Sequence, residues 1–430
     1  MSSGFLWLAA STGLISLLTP CVFPMVPVTI AYFSSPDHRH ASGFRGAILF
    51  GVGIVSTFTV LGLALAGVFG AAGLNRFAAD PWVNIVLAAL FVLFAANLFG
   101  WFELTLPWRL LTAAHNAAGT SSTGSSLGAL LMGATFTLTS VTCTAPFVGT
   151  LLVLAAQGSW ITPLVGMIVY SSAFALPFVL LAIAPRFAAK LPRSGEWIHS
   201  LRVMFGFLEV AAAVKFLSNA DLVLGWGVFT REVLLLVWMG LALTGAVYLL
   251  LPLRRTQRRR GLGRILAAGS ALAIAAWLAT GVSGKPLPQV EAFLPPRIPV
   301  AIPAVSGSRS TGWMLNDFNG ALAEARSTNR LVFVDFTGYT CTNCRWMEAN
   351  IFSRPDVGAQ LGQFVLARLY TDGDGEIYER QQEFQEKTFG TVALPLYAVV
   401  DGDGKIRATF TGLTRDPSEF IAFLRRASGA

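Results

Sequence analysis

The sequence has few charged residues and very few cysteines or histidines. Only 13% of its 430 residues are Asp, Glu, Lys or Arg, whereas 54% are hydrophobic. A soluble domain of this length needs a larger charged surface, so most of the chain is predicted to lie in a membrane. The four histidines all precede residue 200, and none stands at a spacing from a cysteine that is typical of a protease or a metal site.

Eight segments are apolar enough to cross a bilayer as helices, each of which needs about 20 residues. They span 5–33, 44–72, 82–101, 127–155, 161–184, 202–218, 232–251 and 264–281. The first segment has no basic residues before it and is long, which favours a retained span over a cleaved signal peptide. The motif GVGIVS at 51–56 lies within an apolar span, so its glycines favour helix packing over nucleotide binding.

The net charge of +8 belongs to the membrane part of the chain. Residues 1–284 contain 16 Lys/Arg and 7 Asp/Glu, whereas residues 285–430 contain 15 and 16. The basic residues cluster in alternate loops, most densely in RRTQRRR at 254–260. The positive-inside rule makes these loops cytoplasmic and both termini periplasmic. We therefore interpret RRTQRRR as a topology anchor beside membrane lipid, in preference to a lipid-specific or nucleic-acid patch, and expect no nucleic-acid partner.

Three regions are predicted along the chain. Residues 1–283 form a polytopic α-helical membrane domain, and residues 284–312 form a linker whose prolines favour an extended tether. In residues 313–430, strands such as LVFVDF alternate with helices, which predicts an α/β sheet with helices on both faces. The segment DGDG at 401–404 is typical of a hairpin turn.

Two cysteines, Cys341 and Cys344, begin a short predicted helix in the stretch FTGYTCTNCRWMEANIF. A helix N-terminus favours the thiolate of the first cysteine, and the second lies one turn further on, where it can resolve a mixed disulfide. A zinc site would need two more ligands, but no histidine follows His199 and no other cysteine follows Cys143. The pair therefore predicts redox chemistry without a metal.

Residues 313–426 resemble the thioredoxin fold. The resemblance rests on the Cys-x-x-Cys pair, on Asp335 six residues before it, and on Pro395 in VALPLYAVVDGDG. It implies that Asp335 is the buried acid assisting proton transfer at the resolving cysteine. It also implies that Pro395 is the cis-proline lying against the disulfide and contacting substrate. Thr340 differs from the tryptophan that commonly precedes the first cysteine.

The membrane part contains two further cysteines in matching contexts. Cys21 in LTPCVFP and Cys143 in SVTCTAP are each followed three residues later by a proline, Pro24 or Pro146. The second copy lies in the fourth predicted span, three spans after the first, so the two copies run in opposite directions through the bilayer, which is typical of an inverted repeat. The prolines would interrupt their helices near the middle of the membrane. Two facing cysteines at the repeat axis are predicted to form a disulfide reachable from either side in turn.

The membrane part is similar to the transmembrane domain of the DsbD thiol:disulfide interchange family and of the CcdA cytochrome c biogenesis proteins. GWFEL at 100–104 and FGFLEVAAAVKFLSNADL at 205–222 add to this resemblance. The longest members carry an immunoglobulin-like domain before the first span, and we expect this chain to lack it.

The resemblance implies a protein-disulfide reductase in the bacterial inner membrane. Cytoplasmic thioredoxin would reduce Cys21–Cys143, which would then reduce Cys341–Cys344. The acceptors would be periplasmic thiol-disulfide proteins, either disulfide isomerases or the thioredoxins of cytochrome c maturation. No bound cofactor is expected, because the electrons originate from NADPH through thioredoxin.

Two other functions stay open on the sequence alone. The membrane cysteines could bind Cu(I) in a soft-metal permease with a thiol chaperone domain, although those helices offer no further Met or His ligands. A quinone-linked thiol oxidase would run in the opposite direction.

Glu209 and Lys215 in the sixth span are charged residues in a setting where charge is often functional, but near the span ends they could simply reach headgroups.

Overall fold

A computed structural model of the chain describes residues 3–18, 22, 43–101, 128–138, 140, 161–183, 195–251, 261–295, 309–310 and 312–429. Apolar helices dominate the described residues before 283. They are α1 (Ser3–Ile15, continued by a 3-10 turn at Ser16–Leu18), α2 (Gly43–Ala79), α3 (Pro81–Phe99), α4 (Gly128–Leu138), α5 (Ile161–Ile183), α6 (Gly195–Leu224), α7 (Arg231–Leu250) and α8 (Gly261–Val282).

Within the described ranges, four helices are long and apolar enough to cross a membrane. These segments are Phe44–Ala64, Pro81–Phe99, Arg231–Leu250 and Gly263–Val282. Shorter apolar helices cover Leu6–Ile15, Gly128–Leu138 and Leu164–Leu180. The prediction of a helical membrane domain is therefore confirmed. The number of eight spans stays a prediction, because the second halves of predicted spans one and four lie almost wholly outside the described residues.

The chain divides into two compact units. One comprises Met1–Leu74 and Leu90–Val210, and the other comprises Asn75–Ala89 and Ala211–Ala430. The core of the first unit is aromatic, with the rings of Phe50, Phe58, Phe136, Tyr170, Phe174 and Phe178 all buried. Glycines let its helices approach closely: a Cβ atom on Gly53 would collide with the carbonyl oxygen of Leu130. The predicted packing role of GVGIVS is therefore confirmed.

In the second unit, polar contacts hold α6 and the turn that leads to α7, and they also join the two helices. The carboxylate of Asp221 accepts hydrogen bonds from the backbone N–H groups of Val228 and Phe229, both at 3.0 Å, and so fixes the turn between α6 and α7. Trp238 Nε1 donates to the carbonyl oxygen of Ala211 at 3.1 Å. These bonds satisfy groups that hydrocarbon could not solvate.

The first part of the predicted linker is folded rather than extended. After α8, residues 283–290 form turns, Glu291–Phe293 form a 3-10 turn, and Leu287 and Leu294 are buried against α7 and α8. Leucines at these positions give the segment an apolar side that packs, which the proline content alone did not indicate. The segment follows the end of α8 that is opposite to RRTQRRR, because that basic stretch joins the end of α7 to the start of α8.

The C-terminal domain is a six-stranded mixed sheet with helices on both faces. Its strands are β1 (Arg309–Ser310), β2 (Trp313–Leu315), β3 (Val332–Thr337), β4 (Val365–Tyr370), β5 (Leu396–Val400) and β6 (Ile406–Thr411), in the order β1-β2-β4-β3-β5-β6. Its helices are α9 (Phe318–Thr328), α10 (Thr342–Met347, continued by a π-helical turn at Glu348–Phe352), α11 (Pro355–Leu361), α12 (Glu376–Phe389) and α13 (Pro417–Ser428). The predicted α/β fold is therefore confirmed.

Alternation along the central strand β3 assigns its side chains to the two layers. Phe333 packs with Met347, Tyr397 and Phe420 on the side of α10 and α13. Its neighbours Val332, Val334 and Phe336 pack on the other side, against α9 and α12. Asp335 belongs by register to the α10 side, and this places a carboxylate beneath the helix that carries the cysteines.

Candidate redox site

The two cysteines of the C-terminal domain form a disulfide at the start of α10. Their Cα atoms lie 5.3 Å apart. Cys341 is the N-cap residue, and its Sγ accepts a hydrogen bond from the backbone N–H of Cys344 at 3.1 Å. This bond would stabilise a Cys341 thiolate after reduction. Cys344 is 1% exposed, whereas Cys341 is half-buried, so a partner thiolate meets Cys341 first.

The loop between β3 and the disulfide is held by Asp372. Its carboxylate accepts hydrogen bonds from the backbone N–H of Tyr339 at 2.6 Å and from the backbone N–H and hydroxyl of Thr340, both at 3.0 Å. Burial raises the pKa of Asp372, and the bonds from Thr340 and Tyr339 oppose that rise. A Cβ atom on Gly338 would lie 2.5 Å from Asp372 Oδ2, so the loop needs glycine at this point.

Three tyrosines pack beside the same loop. The ring of Tyr339 stacks on that of Tyr370 with centroids 4.1 Å apart, and its hydroxyl lies 3.1 Å from the hydroxyl of Tyr378. All three side chains are buried. Tyr339, two positions before Cys341, is thus held by Asp372 through its backbone N–H and by the other two tyrosines through its side chain.

Four charged side chains cluster between α10 and the sheet, two from strands β3 and β4 and two from the helical segment itself. Arg368 Nε donates to Asp335 Oδ2 at 2.9 Å, and its Nη2 lies 3.6 Å from Glu348 Oε1. Arg345 Nη1 lies 2.8 Å from the other oxygen of Glu348. Burial raises the pKa of Asp335 to about 6, although the positive charge of Arg368 opposes the shift. Asp335 is thus a buried acid, as predicted, but it is paired with an arginine.

Pro395 lies at the end of the sheet where β3 leads into the loop that carries Cys341. The Leu394–Pro395 peptide bond is cis, and the carbonyl oxygen of Pro395 accepts a hydrogen bond from Gly412 at 2.8 Å. Strands β3 and β5 are antiparallel with Phe336 opposite Leu396, so Pro395 comes next to the end of β3. The contact of Pro395 with substrate stays a prediction.

Sequence reasoning missed Arg345, Glu348, Arg368 and Asp372 as parts of this site. Arg368 carried a signal, because a lone arginine in the apolar strand FVLARLY requires a buried partner, and Asp335 in LVFVDF is the matching acid. Arg345 and Glu348 follow Cys344 by one and four positions on the same helical segment. Asp372 carried no such signal, because only the fold brings it to the loop.

The predicted membrane site lies outside the described residues. This applies to Cys21 and Cys143 and to the prolines Pro24 and Pro146 that follow them, so the pairing of the two cysteines stays a prediction.

Of the two charged residues in the sixth span, Glu209 is fully buried rather than reaching the surface. Lys215 Nζ donates to Asn219 Oδ1 at 2.7 Å, and Asn219 Nδ2 in turn lies 3.4 Å from Asn84 Oδ1.

Fold and site together define a helical membrane protein whose C-terminal thioredoxin-like domain carries a Cys-x-x-Cys disulfide. A family model for the cytochrome c biogenesis protein transmembrane domain matches residues 4–220, and a thioredoxin-like model matches residues 313–402. The chain belongs to the DsbD family, of which the first model describes the membrane domain.

Similar proteins extend over both parts of the chain. Thiol:disulfide interchange protein DsbD 1 of Pseudomonas aeruginosa is 30% identical over 364 residues, which cover 83% of this chain and 59% of the relative. The DsbD proteins of Cronobacter sakazakii and Vibrio vulnificus are each 31% identical, over 81% and 84% of this chain. In both cases the match covers 57% of the relative. The chain therefore spans less than two thirds of the length of these relatives.

Proposed function

We propose that the protein is a transmembrane protein-disulfide reductase that passes electrons from cytoplasmic thioredoxin to disulfides in the periplasm. The observation that carries the proposal is the Cys341–Cys344 disulfide, with one half-buried and one buried sulfur, in a thioredoxin-like domain joined to a DsbD-type membrane domain. The relatives are named for thiol:disulfide interchange, which is the same chemistry.

The proposed relay consists of successive thiol–disulfide exchanges. A thiolate of reduced thioredoxin attacks the Cys21–Cys143 disulfide, and the second thiol of thioredoxin releases the membrane pair as a dithiol. One of these thiols then attacks Cys341 Sγ, and the other membrane thiol resolves the mixed disulfide. The membrane pair returns to its disulfide, while Cys341 and Cys344 gain two electrons and two protons. Asp335 is the proposed proton carrier at Cys344.

The redox potentials favour outward transfer. Thioredoxin is poised near about −270 mV and the periplasmic oxidant DsbA near about −120 mV, so electrons run downhill from the cytoplasm. The proposed acceptors are disulfide isomerases and thioredoxins of cytochrome c maturation. No bound cofactor takes part in the proposed relay, and NADPH supplies the electrons through thioredoxin.

The proposed location is the bacterial inner membrane with both termini in the periplasm. The segment that leads to the C-terminal domain follows the end of α8 that is opposite to RRTQRRR. By the positive-inside rule, a basic loop on the cytoplasmic side places the opposite end in the periplasm. This arrangement supports the orientation that the relay needs.

The experiment that tests the function measures the redox state of Cys341 and Cys344 in cells by thiol alkylation and gel shift. Wild type is compared with Cys21→Ala, with Cys143→Ala and with wild type in cells lacking cytoplasmic thioredoxin. Ser11→Ala, which changes a small side chain of α1 without touching a thiol, is the matched control.

We expect Cys341 and Cys344 to be reduced in wild type and in the Ser11→Ala control, and oxidised in the other three cases. If the two thiols stay reduced without Cys21 and without thioredoxin, the C-terminal domain has another electron source and the relay is wrong. A requirement for quinone would instead favour a thiol oxidase, and growth that depends on copper would favour a permease.

A further inference from the structure

The segment after α8 is fixed to the membrane helices by a buried ion pair. Arg231, the first residue of α7, binds both carboxylate oxygens of Glu291 at 3.1 Å, and its Nη1 donates to the carbonyl oxygen of Gly281 at 3.0 Å. The backbone N–H of Leu287 also donates to Glu291 at 3.1 Å. The Arg231 side chain is 5% exposed and that of Glu291 is 12% exposed. A bidentate pair of this kind holds the segment in one geometry.

Apolar packing adds to this rigidity. Leu287 is 1% exposed and Leu294 is 2% exposed, and both join Leu234, Leu235 and Leu278 of α7 and α8 in one cluster. Gly281 is needed for the contact, because a Cβ atom there would collide with the side chain of Leu287. The segment 283–295 is therefore part of the membrane domain's own packing.

This segment and the last turn of α6 both contact the C-terminal domain near its disulfide. The turn Glu291–Phe293 packs against α10, the helix that starts directly after Cys341. Val223 is 8% exposed and shares a cluster with Tyr339, Tyr370 and Tyr378, the tyrosines beside the cysteine loop, and Leu222 packs against the same cluster. Contacts thus reach the helix after Cys341 and the loop before it.

We propose that Leu222–Val223 and Glu291–Phe293 form a docking seat that holds the C-terminal domain in position to receive electrons from the membrane domain. The inference rests on the proposed function, because the seat has this role only if electrons come from the membrane pair. Cys341 is the only sulfur of the disulfide that a partner reaches readily, since Cys344 is buried. The attacking thiolate bonds to Cys341 Sγ while the bond to Cys344 breaks, so only one donor or acceptor uses this sulfur at a time.

The seat therefore has a second consequence. A periplasmic protein that takes electrons from reduced Cys341 has to approach the same loop and helix that the seat contacts. Delivery then requires the C-terminal domain to leave the seat, and acceptance requires it to return.

Photocrosslinking of the full-length protein in membranes tests the docking itself. Phe293 is 46% exposed and adjoins the segment that contacts α10, so it is replaced by the photoreactive analogue p-benzoylphenylalanine. We expect an intramolecular crosslink to the peptide containing residues 342–347, identified by mass spectrometry. Val223→Asp should lower its yield about tenfold, because an unpaired carboxylate would be buried among the tyrosines. Val228→Asp is the matched control, since Val228 is 59% exposed in the adjoining turn.

A crosslink that is absent in the wild-type background, or equally strong in Val223→Asp and Val228→Asp, would overturn the docking seat. Capture of a separate protein at position 293, in place of residues 342–347, would overturn it as well and would assign the surface to another partner.

Two reduction rates of Cys341–Cys344 then separate docking from the relay. The first is measured with thioredoxin as the electron source, and the second with dithiothreitol, which acts directly. Val223→Asp should slow the first about tenfold and leave the second unchanged or faster, because the disulfide is then free of the seat. If wild type shows the crosslink but gains no electrons from thioredoxin, the proposed function fails and docking stands. If Val223→Asp and the control Val228→Asp both receive electrons from thioredoxin at the wild-type rate, the seat has no part in transfer.

Discussion

At the scale of single residues, the two cysteines of the disulfide differ in their exposure and in the groups that surround them. Cys341 is half-buried and its Sγ is stabilised by a backbone N–H, whereas Cys344 is buried above a layer of charged groups. In that layer Asp335 is the acid with the raised pKa, about 6, and Arg368 is its partner. An acid with this pKa is deprotonated at neutral pH and can accept a proton from a buried thiol.

We expect Asp335→Asn to slow oxidation of the reduced Cys341–Cys344 pair by a small disulfide such as oxidised glutathione on the order of 10²-fold at neutral pH, because Cys344 then lacks the acceptor for the proton that it loses as it resolves the mixed disulfide at Cys341. In wild type the rate should gain a rising step near pH 6, where Asp335 loses its proton, and the variant should lack this step. The measurement is the rate at which the reduced pair is oxidised between pH 5 and pH 8, a range that brackets about pH 6. Asp356→Asn, a change in an exposed acid, is the control. A step near pH 6 that persists in Asp335→Asn would assign it to another group.

Among individual site residues, sequence reasoning found those that stand close to the cysteines or belong to a known pattern. Asp335 was predicted to be a buried acid, and it is 1% exposed. Its pairing with Arg368 was not predicted, because the two residues are 33 positions apart and meet only through the parallel register of β3 and β4.

At the scale of secondary-structure elements, the turn from β3 to α10 depends on one carboxylate from the far end of β4. Asp372 accepts the backbone N–H groups of Tyr339 and Thr340, and Gly338 provides the space for it. The conformation of the loop before Cys341 is therefore set by two strands together.

Asp372→Ala should destabilise the C-terminal domain by about 3 kcal/mol, because it leaves buried backbone donors without an acceptor. The measurement is pulse proteolysis of the full-length protein across a urea series, with the midpoint read from the C-terminal fragment. Asp374→Ala removes an exposed carboxylate two positions away and should leave the midpoint unchanged. Equal midpoints for the two variants would show that the hydrogen bonds of Asp372 do not stabilise the domain.

The elements with strong periodicity were predicted well. The predicted strand LVFVDF corresponds to β3, and the predicted turn DGDG lies between β5 and β6. The short elements β1, β2 and α11 were not predicted, because two to seven residues carry too little pattern to separate them from loops. Residues 284–295 were predicted as part of an extended linker, since their prolines suggested it and their buried leucines became informative only with α7 and α8 in place.

At the scale of the whole molecule, the basic loops are predicted to orient the chain. Five arginines lie in RRTQRRR between α7 and α8, and the C-terminal domain follows the opposite end of α8. Orientation depends mainly on Lys and Arg in short loops near span ends, whereas charges in a large domain count for little.

Replacing Arg254, Arg255, Arg258, Arg259 and Arg260 by glutamine should lower the fraction of chains whose C-terminal domain is in the periplasm. The measurement is protease accessibility of that domain in spheroplasts compared with lysed cells. A matched control neutralises five exposed arginines of the C-terminal domain, Arg354, Arg380, Arg407, Arg415 and Arg425, and should leave orientation unchanged. If the control alters orientation as much as the loop variant, short-loop charge is not what orients this protein.

The sequence by itself determined the class of architecture, the α/β alternation of the C-terminal domain and the cysteine pair, because these depend on local periodicity, hydropathy and spacing. Tertiary structure alone decided that Arg368 lies against Asp335, that Asp372 holds the cysteine loop, and that residues 291–293 pack on α10. Each of these contacts joins residues that are distant in the chain. Their physical cause is strand register, burial and helix ends brought together by packing, none of which leaves a local pattern in the sequence.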